Sequence, residues 1–143
     1  MKSIGQLLQS KEGKVVHVAP DQTVFDALML MAKHEIGAVL VVEADKLTGI
    51  FSERDYARKV TLQGKSSREI LVREVMTEKV YYVHPEVTVD ESMALMTNKR
   101  IRHLPVLDAG GKIVGIVSIG DLVKETISQQ EFIIKQLEAY ILR

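Results

Sequence analysis

Cysteine is absent from the 143 residues. That excludes disulfides, thiolate metal sites and cysteine nucleophiles, and it agrees with a cytosolic protein. A surplus of either charge is absent as well, because 19 basic residues balance 19 acidic ones. Nonspecific nucleic-acid binding draws on excess positive charge, so nucleic acid is not an expected partner. The longest aliphatic run, Ala38 to Val42, falls far short of the roughly 20 residues that span a bilayer. The opening stretch, residues 1–14, has no apolar segment of the secretory kind. These absences predict a soluble, cytoplasmic chain without a membrane partner. What is present is globular in kind, 46% hydrophobic and 27% charged. A chain of this size buries about 68–70% of its unfolded surface, enough for a cooperative core.

The chain repeats itself. Val18, Pro20, Thr23 and Val24 recur 65 residues later as Val83, Pro85, Thr88 and Val89. The block from Gly49 to Ala57 is answered 66 residues later by Gly115 to Val123. One residue has therefore been inserted between the blocks, and the Asp108–Lys112 turn is the expected place.

Each copy gives the same coarse reading. Val15–Val18 and Val80–Val83 are short β-prone runs. Thr23-x-x-Asp26 and Thr88-x-x-Glu91 resemble capping boxes, the second more strictly because glutamate is the usual partner. Behind them Val24, Leu28 and Met31 share a helix face, as do Val89, Met93 and Met96. Strands at Ala38–Val42 and Leu104–Leu107 lead through turns to strands at Leu47–Phe51 and Ile113–Val117. Helices then begin near Ser52 and Ser118. The fold class is α/β (α+β), two β-α-β-β-α repeats spanning residues 1–65 and 66–125, followed by a C-terminal helical segment, 126–143. Gly64–Glu69 links the copies, and Leu71–Met76 reads as a short helical turn. A unit of about 60 residues is marginal alone. Two copies packed about a pseudo-twofold axis would solve this and leave two related clefts between them.

Two heptapeptides carry the chemistry: Gly49 to Asp55 and Gly115 to Asp121. Each sets a glycine in a strand, a serine at the strand-to-helix junction and an aspartate three residues on. Ser-x-x-Asp is a helix N-cap pattern that satisfies backbone N–H groups. The same geometry suits a phosphate at the helix N-terminus and a ribose on the carboxylate. Gly49 and Gly115 would let a base approach the backbone. Spacing alone does not separate these readings.

The doubled pattern Gly-hydrophobic-x-Ser-x-x-Asp, with Thr23-Val24, Thr88-Val89 and the run Arg102 to Val106, resembles the CBS-domain family from about Ile4 to Val123. The chain looks like the small bacterial proteins made of one CBS pair, a Bateman module. The resemblance implies a regulatory unit rather than an enzyme, binding an adenosine compound (AMP, ADP, ATP, NAD or S-adenosylmethionine) between the repeats. It implies that Asp55 and Asp121 hold ribose hydroxyls, with Ser52 and Ser118 near ribose or phosphate. Ile36, Gly37 and Ala38 would line one adenine pocket, and Ile101, Arg102 and His103, leading into Leu104 and Pro105, the other. Backbone near His17–Val18 and Tyr81–Tyr82 would read the adenine edge. Arg54 and Arg58 would reach phosphates, and Arg102 and His103 would grip phosphate or fill the adenine pocket.

The other candidates have simpler readings. The basic cluster Lys99, Arg100, Ile101, Arg102, His103 ends a helix, where cations match the dipole, and also offers phosphate contacts. The six methionines fall mainly in helix stripes and read as core. The four histidines lack ligand spacing, so no metal site is expected. Asp121–Arg143 reads as one long helix or a broken pair, with Ile127, Ile134, Leu137 and Ile141 on one face. That face would pack on the module or join two chains as a homodimer. Three functions compete: a sensor read by an effector protein, a ligand-free structural module, and an enzyme acting on the bound nucleotide.

Overall fold

The computed structural model describes residues 2–11 and 15–141. In chain order its elements are α1 (Ile4–Ser10), β1 (His17–Val18), α2 (Val24–His34), β2 (Ala38–Glu43), β3 (Lys46–Ser52), α3 (Glu53–Tyr56), which runs on through a π-helical turn at Ala57–Thr61, α4 (Val72–Val75), α5 (Val89–Lys99), β4 (His103–Leu107), β5 (Ile113–Ser118) and α6 (Ile119–Ile141). The first repeat forms a three-stranded sheet in the order β1-β2-β3 and the second a two-stranded sheet, β4-β5. Among the described residues no helix is long and apolar enough to cross a membrane.

The repeat explains most of this. In both copies a threonine caps the long helix, Thr23 on Asp26 and Thr88 on Glu91. Both helices end on a left-handed residue at equivalent positions, Glu35 (φ 54°) and Arg100 (φ 55°). The inserted residue lies where the offsets place it. β2 and β3 turn through the left-handed pair Ala44 and Asp45. β4 and β5 need the longer loop 108–112, in which Asp108 Oδ1 accepts from the N–H groups of Gly110 and Lys112.

Three expectations need correction. The first capping box, not the second, is closed: Asp26 Oδ2 accepts from Thr23 N at 3.3 Å. At Thr88 only the forward half, Glu91 N to Thr88 Oγ1, is made. The expected run Val80–Val83 is not a strand but a single parallel bridge, Val83 to Val106. In the first copy Leu40 N donates to Val16 O at 3.4 Å. The matching residue in the second copy is Pro105, which has no N–H to give, so the ladder stops. The helix faces also shift, with Ala27 and Ser92 fully buried and Leu28 and Met93 only partly so.

Each repeat has its own core, and each core is completed by the segment that precedes the other repeat. Ile4 and Leu7 of α1 lie in the core of the second repeat with Val89, Met96, Leu104 and Leu122. Ile70, Val72 and Val75, around α4, lie in the core of the first with Val24, Met31, Val41 and Phe51. The backbone bonds correspond one for one. Ile4 N donates to Val87 O and Gly5 N to Pro85 O, just as Val72 N donates to Gln22 O and Arg73 N to Pro20 O. The C-terminal segment is one unbroken helix, seen to Ile141, while Leu142 and Arg143 lie outside the described residues.

Candidate functional site

The glycines of the two heptapeptides serve this exchange rather than a base. A Cβ on Gly49 would stand 2.6 Å from Met76 Sδ and 3.0 Å from the Thr77 carbonyl. A Cβ on Gly115 would stand 2.8 Å from Leu8 Cδ2. Protein, not ligand, makes the close approach at both positions.

Ser52 and Ser118 each end a strand and cap the helix that follows. Asp55 N donates to Ser52 Oγ at 3.2 Å, and Asp55 Oδ2 accepts from Ser52 N at 3.0 Å. Asp121 N donates to Ser118 Oγ at 3.1 Å, and Asp121 Oδ2 accepts from Ser118 N at 2.8 Å. The aspartates are therefore the third-position partners of serine N-caps, and each lines one of two clefts between the repeats.

The clefts are paired crosswise. The larger, about 820 Å³, brings Ser118 and Asp121 of the second repeat against His17, Ile36, Gly37 and Ala38 of the first. The smaller, about 430 Å³, brings Ser52, Arg54, Asp55 and Arg58 of the first repeat against Tyr81, Arg100, Ile101 and Arg102. Gly37 and His103 line both and form the wall between them. Four of the expected residues line neither cleft. Val18 points into the first core, since side chains alternate along a strand and His17 faces out. Leu104 and Pro105 are buried in β4. Tyr82 is exposed and meets His84 edge-on at 5.6 Å.

The electrostatics of the two clefts differ. In the larger, Lys11 Nζ lies 2.8 Å from Asp121 Oδ2 and 2.9 Å from the Ile116 carbonyl. Burial alone would raise the Asp121 pKa, but the hydrogen bonds from Lys11 and Ser118 and the Lys11 charge hold it below the usual carboxylate value. Burial pulls His103 below its ordinary value; Asp121 opposes this, while Lys11 and Arg102 add to it. In the smaller cleft Asp55 pairs with Lys59 at 3.2 Å, one turn along its own helix.

Sequence reasoning missed α1 and Lys11. The signal was present as Ser3-x-x-Gln6, which forms a full capping box ahead of Ile4 and Leu7. It also missed Lys79, in the smaller cleft, which follows α4 as Lys11 follows α1. Among the described residues no three of His, Asp and Glu gather as a metal site would require.

Comparison with known proteins accounts for this architecture. The family model "CBS domain" matches twice, at residues 5–61 and 72–128. The mitochondrial CBS domain-containing protein CBSX3 of Arabidopsis thaliana is 42% identical over 99% of this chain and 69% of its own length. A solved protein with CBS domains from Burkholderia ambifaria is 51% identical with a TM-score of 0.86, over 90% of this chain and 96% of that one. CBSX2 of Arabidopsis thaliana, solved in complex with AMP, shares the fold at 22% identity and a TM-score of 0.72, over 91% of this chain and 99% of that one. The doubled motif, the exchanged leading helices and the two crosswise clefts are those of a tandem pair, and the chain belongs to the CBS-domain family.

Proposed function

We propose that the protein is a regulatory module that binds an adenosine compound in its inter-repeat clefts and reports occupancy to a partner protein. The observation that carries this reading is the crosswise pairing. In each cleft a rigid Ser-x-x-Asp helix end from one repeat faces the Ile36–Ala38 or Ile101–His103 edge of the other. In this reading Asp55 and Asp121 accept ribose hydroxyls, the strand edges flank adenine, and the cations meet phosphate. The AMP complex of CBSX2 supports the ligand class, since that protein has the same fold. A bound ligand shifts the geometry of the module only by its difference in affinity for two states.

The capping bonds of Asp55 and Asp121 support a second reading, in which the clefts are empty and the aspartates only hold helix ends. Thermal unfolding against AMP, ADP, ATP, NAD⁺, NADH and S-adenosylmethionine separates the two. A ligand at a hundred times its dissociation constant adds about 2.7 kcal/mol, which raises the midpoint by several degrees. The module reading expects such a shift for at least one ligand, lost in Asp55→Ala or in Asp121→Ala. If none of the six shifts the midpoint of nucleotide-free protein, the structural reading replaces it.

A further inference from the structure

Both cleft aspartates carry a lysine, but the two lysines come from different places. Lys59 Nζ lies 3.2 Å from Asp55 Oδ1 and donates to the Val75 carbonyl at 3.1 Å. It stands one turn along the same helix and is not among the residues that line the smaller cleft. The matching residue of the second repeat is Glu125, which is opposite in charge and pairs with Lys2 at 3.3 Å. Asp121 therefore draws its cation from elsewhere. Lys11 supplies it, and Lys11 lines the larger cleft.

The backbone of Lys11 is fixed at the end of α1, where its N–H donates to the Leu8 carbonyl, and α1 is anchored in the second core by Ile4 and Leu7. From there Nζ reaches the Ile116 carbonyl at 2.9 Å and Asp121 Oδ2 at 2.8 Å. Asp121 Oδ2 also accepts from Ser118 N at 2.8 Å. A carboxylate oxygen has two lone pairs, so this one is filled. Asp121 Oδ1 receives no hydrogen bond from a described residue. Two adjacent hydroxyls that span a carboxylate need a place on each oxygen, and in the larger cleft Lys11 holds one of those places.

We propose that Lys11 is an internal competitor for Asp121: a vicinal diol takes both carboxylate oxygens in the larger cleft only by displacing the lysine. The competition rests on the reading given under Proposed function, whereas the Lys11–Asp121 contact does not.

Lys11→Met keeps the length of the side chain and removes its charge. In the unliganded variant the Asp121 carboxyl, followed by its carbon-13 resonance against pH, should titrate higher than in the wild type, because burial raises its pKa and Lys11 no longer opposes that. Adenosine is the calorimetric probe, since it has the diol and no phosphate for the lysine to attract. It should bind Lys11→Met about threefold to fivefold more tightly than the wild type, the range that a part-exposed ion pair supplies. Lys11→Arg keeps the charge and should bind as the wild type does. A ligand that lacks one hydroxyl of the diol, 2′-deoxyadenosine, should bind wild type and Lys11→Met alike. In the wild type, added salt should tighten adenosine by weakening the lysine's hold, a readout that needs no variant. Unliganded unfolding midpoints check that both variants fold.

An unchanged Asp121 titration removes the contact and the proposal with it. Equal or weaker adenosine binding by Lys11→Met overturns the competition and leaves the adenosine reading standing. A like gain for 2′-deoxyadenosine makes Lys11 an obstacle to any ligand and overturns the competition for the diol. Amide shifts with adenosine at Ser52–Arg58 and none at Gly115–Asp121 place the gain in the other cleft and overturn it as well. If neither protein binds adenosine, the reading under Proposed function fails for this cleft and the competition falls with it.

Discussion

At the helix end of each cleft the bonds are the same: serine caps aspartate and aspartate caps serine, within a few tenths of an ångström. Around those ends the chemistry diverges. The Asp121 cleft is closed on one side by Gly37 and Ala38 and holds Lys11 on its carboxylate. The Asp55 cleft is lined at the matching places by Arg102 and His103, and further by Arg54, Arg58 and Arg100, none of which forms an ion pair with a described residue. What duplicated faithfully is what the fold needs, namely the caps, the buried helix positions and the two glycines under the exchanged helices. What diverged are positions lining the clefts, several of them exposed (Arg54, Arg58, Arg100 and Arg102), where substitution costs the fold little.

The comparison is broken most severely at the exchanged helices. If α1 completes the second core as α4 completes the first, removing its buried anchor should act as a core deletion although it lies at the N-terminal end. Ile4→Ala, at a fully buried position, is expected to cost about 2–5 kcal/mol in urea unfolding. A cost within the scatter of surface substitutions would mean that the second repeat does not depend on α1.

A smaller effect sharpens the likeness of the two glycines. Gly49→Ala pushes against the Thr77 backbone carbonyl as well as Met76, whereas Gly115→Ala meets only the end of the Leu8 side chain. Overpacking of this kind costs about 1–3 kcal/mol where the neighbour cannot move. Gly49→Ala should therefore lower the unfolding midpoint more than Gly115→Ala, and equal losses would show that the Thr77 backbone yields as readily as Leu8.

The smallest effect concerns the shared wall. The folded-state pKa of His103 lies below its ordinary 6.5, so the unfolded chain takes up a proton first as pH falls. Stability is then lost on acidification from about pH 6.5 towards the folded value and is present above it. Asp121 acts in the same direction lower down: its contribution, present above 3.8, is lost as pH falls through its depressed folded value. Urea midpoints at pH 5.5 and 7.5 should differ less in His103→Asn than in the wild type. An undiminished difference would assign the pH dependence to other groups.

Much of the fold was legible because the chain states it twice. The offset of 65, then 66, residues located most of the strands and the inserted turn, and the helical turn expected at Leu71–Met76 is present as Val72–Val75. The failures are also particular. Pro105 carried the reason for the shortened sheet, yet the bond it cannot donate would reach Tyr81, far back along the chain, and is invisible to local propensity. Gly49 and Gly115 looked like openings for a ligand because the residues that fill them, Met76 and Leu8, belong to distant parts of the chain.

The sequence by itself determined the family, the repeated α-β-β-α order, the capping threonines and serines and the identity of the cleft aspartates. These follow from local chemistry and repetition, which need no knowledge of distant neighbours. Tertiary structure alone decided which halves meet. It set α1 into the second core and α4 into the first, crossed Asp121 with Ile36–Ala38 and Asp55 with Ile101–Arg102, and placed Lys11 on Asp121. The physical reason is that a repeat too small to bury its own core must borrow a helix. The sequence contains both borrowers, but only packing shows which one each core accepts.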